Sequence, residues 1–428
     1  FVLKQHGMGE GVKLGNLAGV EARVKEEAAR TMTPEPMWIR KSLRVENDPA
    51  LGALYRTYII SCASFQSEPE SRPLLIIFHG QFGHPRDAAG HRYVRTLVDA
   101  GWVVALPAGE ADNAYDPYDS GWNVGANGPN ANDMCLPDTN HTSCHTSCFA
   151  VGGCGQCSWS SCYDDLGFVD ALIQEVTALH GVDPERMYLL GSSNGGMLVH
   201  YISQEMPGRF RGIITVYATP LIGLRAGRNG RLLKSNASRR TSVLALHGLN
   251  DTIIPSAGGR SVDGWLYESE WSTLSAWSAV HDCDSQAVVY PTPFERYTPP
   301  SYCALLPDRL RLKAQPCAGR PTCYEYPHCG DGEQVRLCTY EGEHGIWPAP
   351  EATEWIIINF LNSLDSDTSP RIHAQPDAAA APAAPAVLQM AGWAALASMV
   401  VVVATLYARK AVAAWRRARR TDGDCELH

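Results

Sequence analysis

The chain predicts an α/β fold, a mostly parallel sheet with helices on both faces, and three observations carry that expectation. Short continuous apolar runs recur at residues 74–78, 102–106, 188–190, 213–217 and 242–246, the way strands read when a parallel sheet buries both of their faces. Helical stretches lie between them, such as 166–180 with apolar Phe168, Leu172, Ile173 and Val176, and strands alternating with helices make βαβ units. The composition is globular: 45% of the 428 residues are hydrophobic and 19% charged, far from the signature of disorder. The net charge of −9 offers no basic surface for phosphate, which excludes nucleic-acid binding as a main role.

Each element punctuates the next. The run at 74–78 enters His79-Gly80-Gln81-Phe82-Gly83, a glycine-bearing turn, and the run at 102–106 stops at Pro107. The strand at 188–190 enters Gly191-Ser192-Ser193-Asn194-Gly195-Gly196, and a helical stretch comes next at 197–201. This is G-x-S-x-G between a strand and a helix. Glycines there let backbones approach closely around a strained serine, and the helix N-terminus aims amide hydrogens at a developing oxyanion. A serine opening a helix is by itself more often a cap than a nucleophile. The assignment therefore rests on two further residues toward the C-terminus. The strand at 242–246 runs into His247-Gly248-Leu249-Asn250-Asp251, which places an acid just past a strand end. Later, Glu343-His344-Gly345 puts a histidine on a glycine-flanked loop before a final helix at 354–361. Serine, then acid, then histidine is a triad order. Ser193 is the expected nucleophile, His344 the base and Asp251 the residue that orients it. The backbone amides of Gln81 and Asn194 are the expected oxyanion donors, and His79, Trp122 and Trp347 the candidate pocket residues.

Fourteen cysteines mark an oxidising compartment. Thirteen of them lie before residue 340: six bunch at 135–162 and six at 283–338, even counts that can pair within each bunch, while Cys62 is left free or paired elsewhere. A metal is the rival reading, because His141, Cys144, His145 and Cys148 lie close and Cys154 and Cys157 form C-x-x-C. The pairing reading is preferred, with no metal and no cofactor. Asn140 and Asn236 head glycosylation sequons, and a third at Asn250 includes Asp251 and is expected to stay unmodified.

Residues 387–407 form a 21-residue run without a charge, long enough as a helix to span roughly 30 Å of hydrocarbon. Arg409, Lys410, Arg416, Arg417, Arg419 and Arg420 come directly after, so this side is expected in the cytoplasm and the rest outside. No signal peptide is visible after Phe1, and the cysteines and the span lead one to expect an export signal. The expected organisation is a lead-in at 1–36, a catalytic domain at 37–362, an Ala/Pro-rich stalk at 363–386, a transmembrane helix at 387–407 and a basic tail at 408–428.

Across about residues 56–362 the stretches PLLIIFHGQFG, GWNVG, CYDDLGFVDALI, GVDPERMYLLGSSNGGM, LALHGLNDTIIP, EGEHGIWP and EWIIINFL resemble the secreted esterases that include feruloyl esterases, acetylxylan esterases and polyhydroxybutyrate depolymerases. The resemblance implies an α/β-hydrolase fold, hydrolysis of carboxylic esters without a metal cofactor, and Ser193, Asp251 and His344 as the triad. It matches Gly80-Gln81 to the oxyanion turn, Trp122-Asn123 to a segment near the pocket, and Asp164-Asp165 to an acidic pair read as helix N-terminal charge. The cysteine-rich insertions at 130–161 and 282–338 and the membrane span depart from the bacterial members. The expected substrate is an ester of extracellular polysaccharide, phenolic or polyester material. The rival from another class is a catalytically idle adhesion or receptor domain on a stalk.

Overall fold

A computed structural model describes residues 38–48, 52–61, 71–111, 120–126, 135–136, 145–150, 160–223, 241–294, 318 and 320–365. The lead-in, almost all of the stalk, the span at 387–407, the basic tail, Cys62, Asn140 and Asn236 lie outside the described residues. Among the described residues, no helix is long and apolar enough to cross a membrane.

Among the described residues, fourteen strands succeed one another as β1 (Trp38–Asp48), β2 (Gly52–Ser61), β3 (Arg72–Phe78), β4 (Val103–Pro107), β5 (Glu110–Ala111), β6 (Ser120–Gly121), β7 (Val182–Ser192), β8 (Gly212–Val216), β9 (Ser242–Gly248), β10 (Gly259–Arg260), β11 (Leu266–Tyr267), β12 (Val288–Tyr290), β13 (Thr322–Tyr326) and β14 (Val335–Tyr340). The helices are α1 (Pro85–Ala89), α2 (Arg92–Asp99), α3 (Thr146–Ala150), α4 (Asp165–His180), α5 (Asn194–Glu205), α6 (Glu270–Val280) and α7 (Pro350–Leu364). Ten strands form one sheet in the order β1-β2-β4-β3-β7-β8-β9-β14-β13-β12. The block from β4 to β14 is parallel throughout, and antiparallel strands close both edges.

The parallel block explains the unbroken apolar runs. Successive side chains on a strand point to opposite faces, and here both faces are covered. Leu74, Ile76 and Phe78 pack on one side with Phe168, Leu172 and Val176 of α4, Ile202 of α5 and Leu274 of α6. Leu75 and Ile77 pack on the other with Val94 and Leu97 of α2 and with Ile357, Phe360 and Leu361 of α7. Helix ends obey local chemistry. The Asp164 carboxylate caps α4 by accepting from the Gly167 amide at 2.8 Å, and Pro350 opens α7, where its missing N–H costs nothing.

The second cysteine-rich stretch corrects one expectation. It reads in the sequence as an excursion between acid and histidine, yet its described parts are β12, β13 and β14. β14 lies in register with β9, Val335 opposite Val243. The described disulfides pair within each bunch: Cys148–Cys162, Cys283–Cys329 and Cys323–Cys338. The bond to Cys162 removes Cys148 from the rival metal set.

Candidate active site

The four strands whose ends matter are β3, β7, β9 and β14, and their C-terminal ends lie along one edge of the parallel block, the side where open α/β sheets bind ligands. β7 ends at Ser192 and α5 begins at Asn194, which leaves Ser193 alone to turn the chain, with φ 52° and ψ −125°. Such a left-handed serine is strained by about 1–3 kcal/mol and persists only where its surroundings hold it. Its amide donates to the Val216 carbonyl at 3.0 Å, and its carbonyl accepts from the Met197 amide at 3.0 Å. Close packing holds the rest. A Cβ on Gly191 would stand 2.2 Å from the Gly195 carbonyl oxygen, and one on Gly195 would stand 2.4 Å from that of His79.

The three residues expected to form a triad meet. His344 Nε2 lies 2.9 Å from Ser193 Oγ, and His344 Nδ1 lies 2.7 Å from Asp251 Oδ2. Since the carboxylate only accepts, Nδ1 carries the proton, and Nε2 is left to accept the serine hydroxyl's. Ser193 is half-buried, and the His344 side chain keeps 21% of its exposure while that of Asp251 has none. Asp251 Oδ1 accepts from the Ile253 and Ile254 amides, each at 2.9 Å. Burial pushes the Asp251 carboxyl up, but hydrogen bonds from His247 and His344 outweigh it and hold it at about 2.

The turn after β3 touches the nucleophile: a Cβ on Gly80 would stand 3.1 Å from Ser193 Cβ. Gln81 is the next residue in this turn, and the amide of Asn194, first in its helix, has no intrahelical partner.

His79 and Trp122, expected as pocket residues, are buried, and their polar atoms bond the backbone of this turn and its neighbours. His79 is buried. Its Nε2 accepts from the Gly109 amide at 2.9 Å, which leaves Nδ1 to donate to the Gly80 carbonyl at 2.7 Å. Burial holds this imidazole down at about 4, so it is neutral. Trp122 is fully enclosed, edge-on to Phe78. Its indole donates to the His79 carbonyl at 2.9 Å, and its amide donates to Asn194 Oδ1 at 2.8 Å. The next amide, Asn123, donates to Asp165 at 2.6 Å. Asp165 is thus more than the helix-terminal charge read from the sequence. It is buried against Arg56 at 2.7 Å, and the guanidinium lies over the Phe168 ring, 4.3 Å from its centroid. Trp347 is also buried, behind the histidine, with its indole donating to Tyr217 Oη at 3.1 Å.

Two features escape a reading of the sequence. Tyr217, at the end of β8 with φ 38°, sets its ring edge-on to His344 at 5.0 Å. His247 and Glu270 form a buried pair at 2.5 Å behind Asp251. The signal for His247 is its place four residues before the acid at the same strand end; nothing local marks Glu270.

A parallel sheet that offers a serine elbow, an acid and a histidine from the C-terminal ends of three of its strands, in that chain order, has the α/β-hydrolase arrangement. Comparison with known proteins agrees with the esterase resemblance seen in the sequence. A protein of Nocardia uniformis subsp. tsuyamanensis carrying the name "Putative esterase NocK" is 27% identical over 149 residues, which is 35% of this chain and 33% of that protein. Feruloyl esterase B of Piromyces equi is 22% identical over 292 residues, 67% of this chain and 42% of that enzyme. The chain therefore spans less than half the length of either relative. Among solved structures, the acetyl xylan esterase of Aspergillus awamori aligns with a TM-score of 0.43 at 13% identity, covering 76% of this chain and 99% of that one. No family model matches the chain.

Proposed function

We propose that this protein is a serine carboxylic-ester hydrolase that works through Ser193, His344 and Asp251 and an acyl-enzyme. The observation that carries the reading is the continuous hydrogen-bonded path from Ser193 Oγ through His344 to Asp251, on a serine strained at a strand-to-helix turn. In this reading His344 Nε2 takes the hydroxyl proton as Oγ attacks the acyl carbon, and Asp251 stabilises the imidazolium that forms. The carbonyl oxygen becomes an oxyanion held by the Gln81 and Asn194 amides. The tetrahedral intermediate collapses as His344 returns the proton to the leaving alcohol, and water then enters by the same route to release the acid.

The loops that carry Gln81 and Asp251 also carry exposed Phe82, Leu249 and Ile253. That apolar rim suits an aromatic or aliphatic acyl group, as do the feruloyl and acetylxylan names of the similar proteins. Esters on extracellular polysaccharide, phenolic or polyester material are the substrates we assign, with His79 and Trp122 supporting the site and Trp347 backing its wall. The disulfides favour an oxidising compartment. The apolar run at 387–407 with the basic residues after it supports anchorage by one C-terminal helix, the catalytic domain outside. The test is fluorophosphonate labelling of the whole chain beside Ser193→Ala. Labelling that disappears in the variant supports the reading, and a folded, disulfide-intact chain that never labels defeats it.

A further inference from the structure

Asp251 is backed by charged groups that the triad does not use. His247 closes β9 and is fully enclosed. Its Nδ1 faces Glu270 Oε2 at 2.5 Å, and its Nε2 faces the Ile254 carbonyl at 2.9 Å and Asp251 Oδ2 at 3.5 Å. All three partners are acceptors, so both ring nitrogens carry protons and the ring is an imidazolium balanced by Glu270. Burial works against that charge, but the hydrogen bonds to Asp251 and Glu270 outweigh it and raise the imidazole to about 9.

The other titratable groups around this cluster are close to neutral partners. His200 on α5 is lowered by burial, and the phenols of Tyr217, Tyr267 and Tyr340 are raised by it. Asp263 acts on Tyr267 from the far side, and His344 stands across Asp251. Among the described residues, His247 is the resident cation beneath the acid.

Resting on the triad reading, we propose that His247 and Glu270 are positioning residues of the hydrolytic site, an imidazolium–carboxylate pair that keeps Asp251 ionised and turned toward His344. Neither touches the substrate. The geometry ties the pair to both ends of the acid's environment. His247 Nε2 donates to the carbonyl of Ile254, the residue whose amide donates to Asp251 Oδ1, so one ring fixes the loop and the carboxylate together. The charges match the reaction. Asp251, His247 and Glu270 sum to one negative charge at rest, and the cluster becomes neutral when His344 takes the serine proton. Without His247, two buried carboxylates face each other unbalanced; without Glu270, a lone cation competes with the imidazolium that catalysis needs.

The test uses His247→Gln, Glu270→Gln and the double variant in the full chain. Active sites are counted by fluorophosphonate titration, and kcat/KM per titrated site is measured across pH. Removing the cation eases protonation of His344, so the acid limb of His247→Gln moves up by about half a pH unit to one unit; Glu270→Gln moves it down by a similar amount. The double variant returns close to the wild-type limb. In both single variants kcat per titrated site falls about tenfold while KM changes by less than about twofold. A merely structural pair would lower the thermal midpoint and the number of titratable sites and leave the limb and kcat per site in place. That result overturns the assignment, as does movement of both limbs in one direction. If the single variants do not fold, the double variant, which keeps the wild-type net charge of the cluster, decides: a tenfold loss of kcat per site supports the assignment and an unchanged value overturns it. A wild-type chain that never reacts with the probe defeats the triad reading itself, before any variant is compared.

Discussion

Replacing Trp122 by Phe separates the support of the proposed oxyanion turn from the chemistry of the proposed triad. The change keeps an aromatic ring against Phe78 and removes the indole N–H that donates to the His79 carbonyl at 2.9 Å. That carbonyl is enclosed, and leaving a buried acceptor without its donor costs about 1–3 kcal/mol. The smaller ring also leaves a void of roughly 40 Å³ at a fully buried site, which adds about 1 kcal/mol. The expected loss is therefore about 2–4 kcal/mol, within the roughly 5–15 kcal/mol that holds a domain of ordinary stability. The protein stays folded, and the consequence for the turn can be read. His79 precedes Gly80 and Gln81, so a carbonyl free to tilt misaims the Gln81 amide. Complete loss of one such donor lowers kcat by about a hundredfold or more; a displaced donor should cost about tenfold to a hundredfold. Urea unfolding gives the stability, and kcat and KM on a short aryl ester give the rest, with KM expected to hold. If stability falls by the amount stated while kcat is unchanged, the reasoning fails. The turn would then be held by the bonds of the His79 ring to Gly109 and Gly80, the Gly83–Gly80 bond and the bonds to Ser120, with Trp122 mere filling.

The stability of the fold should peak near pH 6.5. His79 is held at about 4, so the unfolded chain binds its proton first and stability is lost as pH falls from about 6.5 through 4, with His91, His180 and His200, lowered the same way by burial, adding to this. His247 is raised to about 9, so its contribution is complete below about 6.5 and is lost as pH rises through 9; that of Asp251, held at about 2, is lost only in strong acid. Urea midpoints from pH 4 to 9 should therefore trace an arch, and a level line above pH 6.5 would contradict the charge assigned to His247. Replacing Cys323 and Cys338 by Ala opens a link with a sequence separation of 15; it should cost about 3 kcal/mol and speed loss of activity on heating, read as a shorter half-life, because β14 leads directly to His344.

What the sequence made legible was the parallel block and the residues at its strand ends. Runs such as 74–78 and 242–246 are apolar without alternation because both faces are covered, and they appear as β3 and β9 nearly residue for residue. Ser193, Asp251 and His344 could be picked out because glycines and strand ends surround each of them. The edges were not legible. β1 and β2 mix charged and apolar residues, since an antiparallel edge pair leaves one face partly to solvent, and β14 was hidden among cysteines that read as an insertion. The supporting bonds of His79 and Trp122 were not legible for a related reason. Their types suggest substrate contact, and only their burial and bonds show that their polar atoms serve the backbone of the turn after β3 and its neighbours. Glu270 reaches His247 from α6, across 23 residues of chain, and no local pattern marks such a partner.

Strand order accounts for why these groups had to meet where they do. β3 borders β7, so the turn after β3 falls beside the serine elbow; β9 borders β14, so the acid and the histidine emerge side by side. β8 intervenes between those two pairs, and its end must bridge the gap that its own width creates. Tyr217 fills it. Its amide donates to the Leu246 carbonyl on β9, its hydroxyl accepts from the Trp347 indole behind the histidine, and its ring meets His344 edge-on. A phenol at this point is long enough to span from strand end to histidine loop, and burial keeps it neutral beside the Asp251 charge. The left-handed backbone at Tyr217, φ 38°, is the cost of aiming the ring across the strand. The position that the topology leaves empty between Ser193 and Asp251 is thus occupied by a group that meets His344, which makes the end of β8 as much a part of the site as the three strands that carry the proposed triad.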